Sequence, residues 1–150
     1  MSRPWLLAVV FLATGACAVP VPTARSAADY GKKAGHTAED VHSAIETTVV
    51  ALDNATHGRT LPTTLNVVVS DAEDDARGAM STFQRIAPRG QGAGAIHDRL
   101  VPLLNDAADA ITRARQLARR GQTSAGDVEP VTRRLAEIAR ALDDFANAQP

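Results

Sequence analysis

Four segments of the chain repeat apolar residues at alternating steps of three and four, within residues 37–55, 61–86, 96–118 and 128–145. This spacing places the apolar side chains on one stripe of an α-helix, because a helix turns once every 3.6 residues. Each helix must bury its stripe against another element, so the pattern predicts an all-α fold. The fourth segment shows the cleanest alternation, through Val128, Val131, Leu135, Ile138, Leu142 and Phe145.

Short links that contain glycine and proline separate the four segments, as at Gly58, Pro88, 89–94 and Gly121. Helices of about 20 to 28 residues joined by such links favour an antiparallel up-down four-helix bundle. We therefore predict one bundle domain over residues 37–150. The alternative architecture is a bundle that another copy or another chain completes.

The predicted helix boundaries rest on capping residues and on glycine. Thr37 is a suitable N-cap for the first helix and Thr60 for the second. Residues 24–36 are rich in alanine but contain Gly31 and Gly35, and glycine costs about 1 kcal/mol relative to alanine inside a helix. We expect this stretch to be a flexible spacer, frayed or only partly helical.

The N-terminal residues have the order of a secretory signal. Arg3 precedes the apolar run 5–13, and the small residues 14–16 come directly before Cys17, the only cysteine of the chain. The apolar run is too short to cross a bilayer as a mature helix. The sequence therefore predicts a signal peptide over residues 1–16, followed by a spacer over residues 17–36.

The segment Ala13-Thr14-Gly15-Ala16-Cys17 resembles the lipobox of bacterial lipoproteins. The resemblance implies cleavage before Cys17, a diacylglycerol on its thiol, and anchoring of the protein to the extracytoplasmic side of the cell membrane. Two acyl chains are enough for stable attachment, whereas one binds only marginally. The alternative is cleavage at the A-x-A site Ala16-Cys17-Ala18, which would release a secreted protein that starts at Val19.

The composition excludes several classes of function. Without Arg3 the chain has 15 basic and 17 acidic residues, a balance that indicates neither nucleic acid nor an acidic membrane surface as a partner. A single cysteine forms no intrachain disulfide and no cysteine-based metal site. The sequence contains no Gly-x-Ser-x-Gly motif or other catalytic set, so we predict a protein that is not an enzyme and needs no cofactor.

Two acidic patterns in the sequence have some features of a metal site. Glu39 and His42 have the Glu-x-x-His spacing of di-iron bundles, but no second such motif occurs in the sequence. The run 71–75 (DAEDD) lacks the alternating ligands and central glycine of a calcium loop. We expect its carboxylates to lie on the solvent side of the second helix, and we predict no metal site.

Arginines concentrate near the link between the third and fourth helices: Arg113, Arg115, Arg119, Arg120, Arg133 and Arg134. We call this group the arginine end. All of them except Arg115 form the predicted interaction patch. An up-down bundle places this link away from the anchored N terminus, so the patch favours an acidic partner in the cell envelope. The alternative is that these arginines form ion pairs with residues 71–75 and with other carboxylates of the bundle.

These features together predict an exported, lipid-anchored bundle that acts as a non-enzymatic interaction module in the cell envelope. The alternative function is a carrier that binds a small ligand or a metal in a pocket between helices. A cavity lined by Met80 and Phe83 would favour the carrier. A tightly filled core of alanine and leucine would favour the interaction module.

Overall fold

The computed structural model describes residues 24–149, so Cys17 and the predicted signal peptide lie outside the described residues. Within this range the chain forms four helices and no strand. They are α1 (Ala27–Thr56), α2 (Pro62–Gln84), α3 (Ala93–Arg120) and α4 (Ala125–Asn147). The predicted all-α four-helix bundle is confirmed.

The helices form a closed ring in chain order. Each helix packs against the next one along the chain, and α4 packs back against α1. Across the centre α1 also contacts α3, whereas within the described residues no Cα atom of α2 lies within 8 Å of one in α4. Because the links are short, successive helices run in opposite directions. The start of α1 and the end of α4 therefore lie at one end of the bundle, and the link between α3 and α4 lies at the other.

The core is built from the predicted stripes. Large aliphatic side chains are interleaved with alanines, which let the helix axes approach closely. Leu61 belongs to the predicted stripe of the second helix but not to the core, because it lies ahead of α2 with 69% of its surface exposed. The largest side chains with essentially no exposure are Tyr30, Phe83, Ile45, Leu52, Leu65, Leu100, Leu104, Ile111, Leu135 and Leu142.

The first helix begins ten residues before the predicted Thr37 cap. Ser26 is the N-cap, and its hydroxyl accepts a hydrogen bond from the Asp29 backbone N–H at 3.1 Å. Tyr30 is fully buried, so this part of α1 belongs to the core. Gly35 faces α4, where an added Cβ would lie 3.5 Å from the Gln149 side chain. The prediction of a flexible spacer is therefore wrong for residues 27–36, because close helix packing outweighs the propensity cost of glycine.

The other helix boundaries agree more closely with the sequence. Leu61, not Thr60, is the N-cap of α2, and it provides no side-chain hydrogen bond. Ser124 caps α4 by accepting from the Asp127 N–H at 3.3 Å. Gly121 ends α3 with a φ of 66°, a left-handed conformation that glycine adopts without steric cost. None of the helices between residues 24 and 149 combines the length and hydropathy needed to cross a membrane.

Candidate interaction surfaces

A long groove runs between α1 and α2 on the surface of the bundle. It consists of two adjoining cavities of about 760 and 440 Å³, which share Ser43, Thr47 and Val68 in their linings. On α1 the lining extends from Thr37 to Asn54, which at 1.5 Å per residue corresponds to roughly 26 Å. We call this feature the α1–α2 groove.

Small residues line the bottom of the groove. Ala44, Ala51 and Ala72 are buried there, and the exposed Gly78 lines the groove in the C-terminal part of α2. An added Cβ on Gly78 would meet no atom of the described residues within 4 Å. Glycine inside a helix costs about 1 kcal/mol relative to alanine. Packing within the described part of the chain therefore gives no reason for a glycine at this position.

The sides of the groove are acidic in one half and more apolar in the other. Asp40 on α1 and Asp71, Asp74 and Asp75 on α2 line the same half, and all four residues are exposed. The lining of the other half includes Glu46, but it also exposes Val50, which has 56% of its surface accessible. No group of three acidic, histidine or cysteine residues between positions 24 and 149 is placed to hold a metal ion. The carboxylates therefore do not converge on one point.

Glu73, in the middle of the acidic run, is an exception to the predicted solvent-facing arrangement. Its side chain is 1% exposed and points between α2 and α3. The Thr112 hydroxyl donates to one carboxylate oxygen at 2.7 Å, and Arg77 Nη2 lies 2.7 Å from the same oxygen. The guanidinium of Arg115 donates to the other oxygen. The prediction that all carboxylates of the run face solvent is thus wrong for Glu73, which joins α2 to α3.

The pKa of Glu73 reflects two opposing effects. Burial raises the pKa, because it penalises the charged carboxylate. The hydrogen bonds from Thr112 and Arg115, together with the charges of Arg77 and Arg115, lower it. Taken together, the lowering effects outweigh the effect of burial, so the pKa of Glu73 lies below its ordinary value. The carboxylate is therefore ionised at neutral pH.

Several residues of the arginine end are occupied by contacts within the bundle. Besides Arg115, which binds Glu73, Arg134 Nη2 lies 2.8 Å from Asp106 Oδ2 on α3. Arg133 lies 3.9 Å from Glu129 on its own helix. The ion pairs predicted as the alternative therefore exist, although within the run 71–75 only Glu73 takes part.

The remaining arginines of the predicted patch are exposed. Arg113, Arg119 and Arg120 form no ion pair with any residue in the described range. Arg119 lines a cleft of about 530 Å³ between α2 and α3, whereas Arg134 bridges α3 and α4. These two arginines therefore lie on different sides of α3.

The residues proposed for a carrier site belong to the core or to the solvated surface. Met80 is 8% exposed, and the Phe83 ring packs with its centre 5.3 Å from that of Tyr30. Glu39 Oε2 lies 3.2 Å from His36 Nδ1, while His42 lies 4.0 Å from Glu46. The two residues with the di-iron spacing therefore each pair with a different neighbour.

The α1–α2 groove was not predicted from the sequence. The acidic run on α2 is visible in the sequence, but its position opposite Asp40 depends on the register of two helices. The sequence feature that could have indicated the groove is Gly78, a glycine inside a helix where packing does not require one. Comparison of the chain with protein-family models, with curated proteins and with solved structures finds no match in any of the three.

Proposed function

We propose that this protein is an exported, lipid-anchored four-helix bundle that acts as a non-enzymatic interaction module in the cell envelope. The observation that carries the proposal is the α1–α2 groove, a surface depression roughly 26 Å long with a bottom of small residues. Grooves between helices are a common site for partner segments, because they offer a large contact area on a rigid support. The groove is the surface through which we expect the bundle to bind its partner.

The position of the N terminus supports an anchored arrangement. Ala24 is 2% exposed, so the chain is packed on the bundle from the first described residue. Six residues lie between Cys17 and Ala24, so the two residues are at most about 25 Å apart when the chain is extended. A lipid on Cys17 would hold the start of α1 close to the bilayer. The groove would then extend away from the membrane along the side of the bundle.

The packing of the core supports an interaction module more than a carrier. Met80 and Phe83, the residues proposed to line a ligand cavity, are buried among other core side chains. Alanines and leucines make up most of the buried core. A core of this composition supports the proposal of an interaction module.

The first prediction concerns anchoring. Wild-type protein expressed in its native host is expected in the membrane fraction, with an intact mass that corresponds to a diacylated Cys17. Cys17→Ser should release the protein or leave it unprocessed, because no thiol is available for the lipid. The control Ala18→Leu keeps the thiol but disrupts the A-x-A site, and it should stay anchored. A mature protein that starts at Val19 would contradict the prediction.

The second prediction concerns the surface that binds the partner. Asp40→Lys with Asp75→Lys reverses one exposed carboxylate on each side of the groove. We expect this variant to lose the partner in crosslinking pull-downs from cell envelopes, since like charges across an interface are repulsive. The matched control reverses two exposed carboxylates outside the groove, Asp109→Lys with Asp144→Lys, and should keep the partner.

If the partner is instead acidic and binds the arginine end, the effects of the two charge reversals on partner capture should be exchanged. In that case Arg119→Glu with Arg120→Glu would abolish capture, and the groove variant would retain it. We expect the arginine variant to keep the partner and to lose about 1 kcal/mol of stability, because it places acidic residues in the last turn of α3. Circular dichroism of each variant shows whether the helical fold is retained.

A further inference from the structure

We propose that the α1–α2 groove binds a basic amphipathic α-helix of a partner protein. The inference rests on the proposed function and names the chemistry of the partner. Three features of the groove determine this chemistry: its charge, its length together with the small residues at its bottom, and its apolar half.

The charge of α1 and α2 favours a basic partner. Together the two helices carry nine carboxylates and three lysine or arginine residues. One of the carboxylates, Glu73, is turned inward, while the four aspartates of the groove are exposed. Because the aspartates come from both helices and do not converge, they match several separated positive charges better than a single cation. Lysines or arginines at successive turns of a helix provide this distribution.

The shape of the groove fits a helix. A length of roughly 26 Å corresponds to about 17 residues of α-helix. Buried alanines form the bottom, and the exposed Gly78 lines the groove without a side chain, so the backbone of a partner helix can approach closely there. A docked helix would account for the glycine at position 78, which packing within the described residues does not explain.

The apolar half of the groove requires an amphipathic partner. Val50 is exposed there beside Ala51 and Val68. A large exposed valine at the edge of a groove gains stability when an apolar side chain covers it. A helix with one apolar and one basic face can cover Val50 and at the same time reach the aspartates of the other half.

A designed peptide tests this chemistry directly. The probe is a 21-residue amphipathic helix with leucine and alanine on one face and lysine on the other. Its control carries glutamate in place of every lysine. Titration of the soluble bundle, residues 24–150, should show saturable binding of the lysine peptide that weakens with salt, and no binding of the glutamate peptide. The same bundle should retain its helical circular dichroism throughout the titration.

Two pairs of variants assign the binding to the groove. Asp40→Lys with Asp75→Lys should weaken lysine-peptide binding about tenfold or more, whereas Asp109→Lys with Asp144→Lys should change it by less than about threefold. Gly78→Leu fills the groove and should reduce binding similarly. Its control Ser81→Leu adds the same side chain at an exposed α2 position outside the groove lining, and should not reduce binding.

Absence of lysine-peptide binding, or equal binding by the Gly78→Leu variant, would overturn the inference. Such a result is distinguishable from failure of the proposed function. If the groove variant still loses its envelope partner while the lysine peptide does not bind, the interaction module stands and its partner has another chemistry. If the groove variant changes neither the capture of the envelope partner nor the binding of the lysine peptide, both proposals fail.

Discussion

Replacement of Glu73 with glutamine is expected to lower the free energy of unfolding at pH 7 by about 2–4 kcal/mol. The carboxylate is buried and receives hydrogen bonds from Thr112 on α3 and from Arg115. Glutamine keeps the shape and can still accept from Thr112, but it loses the charge that compensates the two guanidinium groups. Breaking a buried ion pair by changing one partner is strongly destabilising. Urea unfolding followed by circular dichroism measures the loss.

The control for this variant is Asp74→Asn, which removes the charge of the exposed neighbouring residue. It should change the stability by no more than about 0.5 kcal/mol. Equal stability of Glu73→Gln and wild type would show that the contact between α2 and α3 does not depend on this carboxylate.

The same carboxylate gives the stability a predictable pH dependence. Because the pKa of Glu73 is lower in the folded state than in the unfolded chain, its contribution is complete above the unfolded value of about 4.5. The contribution is lost as the pH falls through the folded pKa. The stability difference between wild type and Glu73→Gln should therefore shrink in acid. An unchanged difference at low pH would contradict this assignment.

Replacement of Tyr30 with alanine is expected to cost about 3–5 kcal/mol, comparable to removal of a buried aromatic side chain from a protein core. Tyr30 has no exposed surface and packs against Phe83 of α2. A chain that starts at Thr37 lacks this side chain together with the buried Ala34, and we expect it to lose cooperative unfolding. Thermal and urea unfolding of both variants measure these effects.

The control Tyr30→Phe keeps the ring and removes the hydroxyl. Among the described residues this hydroxyl has no hydrogen-bond partner, and burial raises its pKa, with a further contribution from Asp98. An unpaired buried hydroxyl costs about 1–3 kcal/mol, so Tyr30→Phe should be as stable as wild type or more stable. A fragment starting at Thr37 with wild-type stability would show that the start of α1 is dispensable.

The sequence predicted the four helices because their apolar stripes repeat over many turns. In α4 every member of the predicted stripe is buried or half-buried, from Val128 to Phe145. The start of α1 was missed because propensity alone counts Gly31 and Gly35 against a helix. Both glycines are buried, and Gly35 faces α4. A contact between residues more than a hundred positions apart is not visible in local composition.

The surfaces were less predictable than the helices, for a related reason. The period of α2 does not by itself show that Glu73 turns inward, since its three partners come from two helices. Chain direction placed the arginine end away from the N terminus. It did not reveal that Arg134 is paired with Asp106. The groove depends on which faces of α1 and α2 remain uncovered, and this follows only from the packed bundle.

Amide hydrogen exchange of the bundle, with and without the basic helical peptide, tests the central claim most directly. It reports the position of the partner along every helix in one experiment. The α1–α2 groove predicts slower exchange in residues 40–50 of α1 and 68–79 of α2, with no change around Arg119 and Arg120. Slower exchange confined to the arginine end, or no change along α1 and α2 in the presence of saturating peptide, would contradict the account.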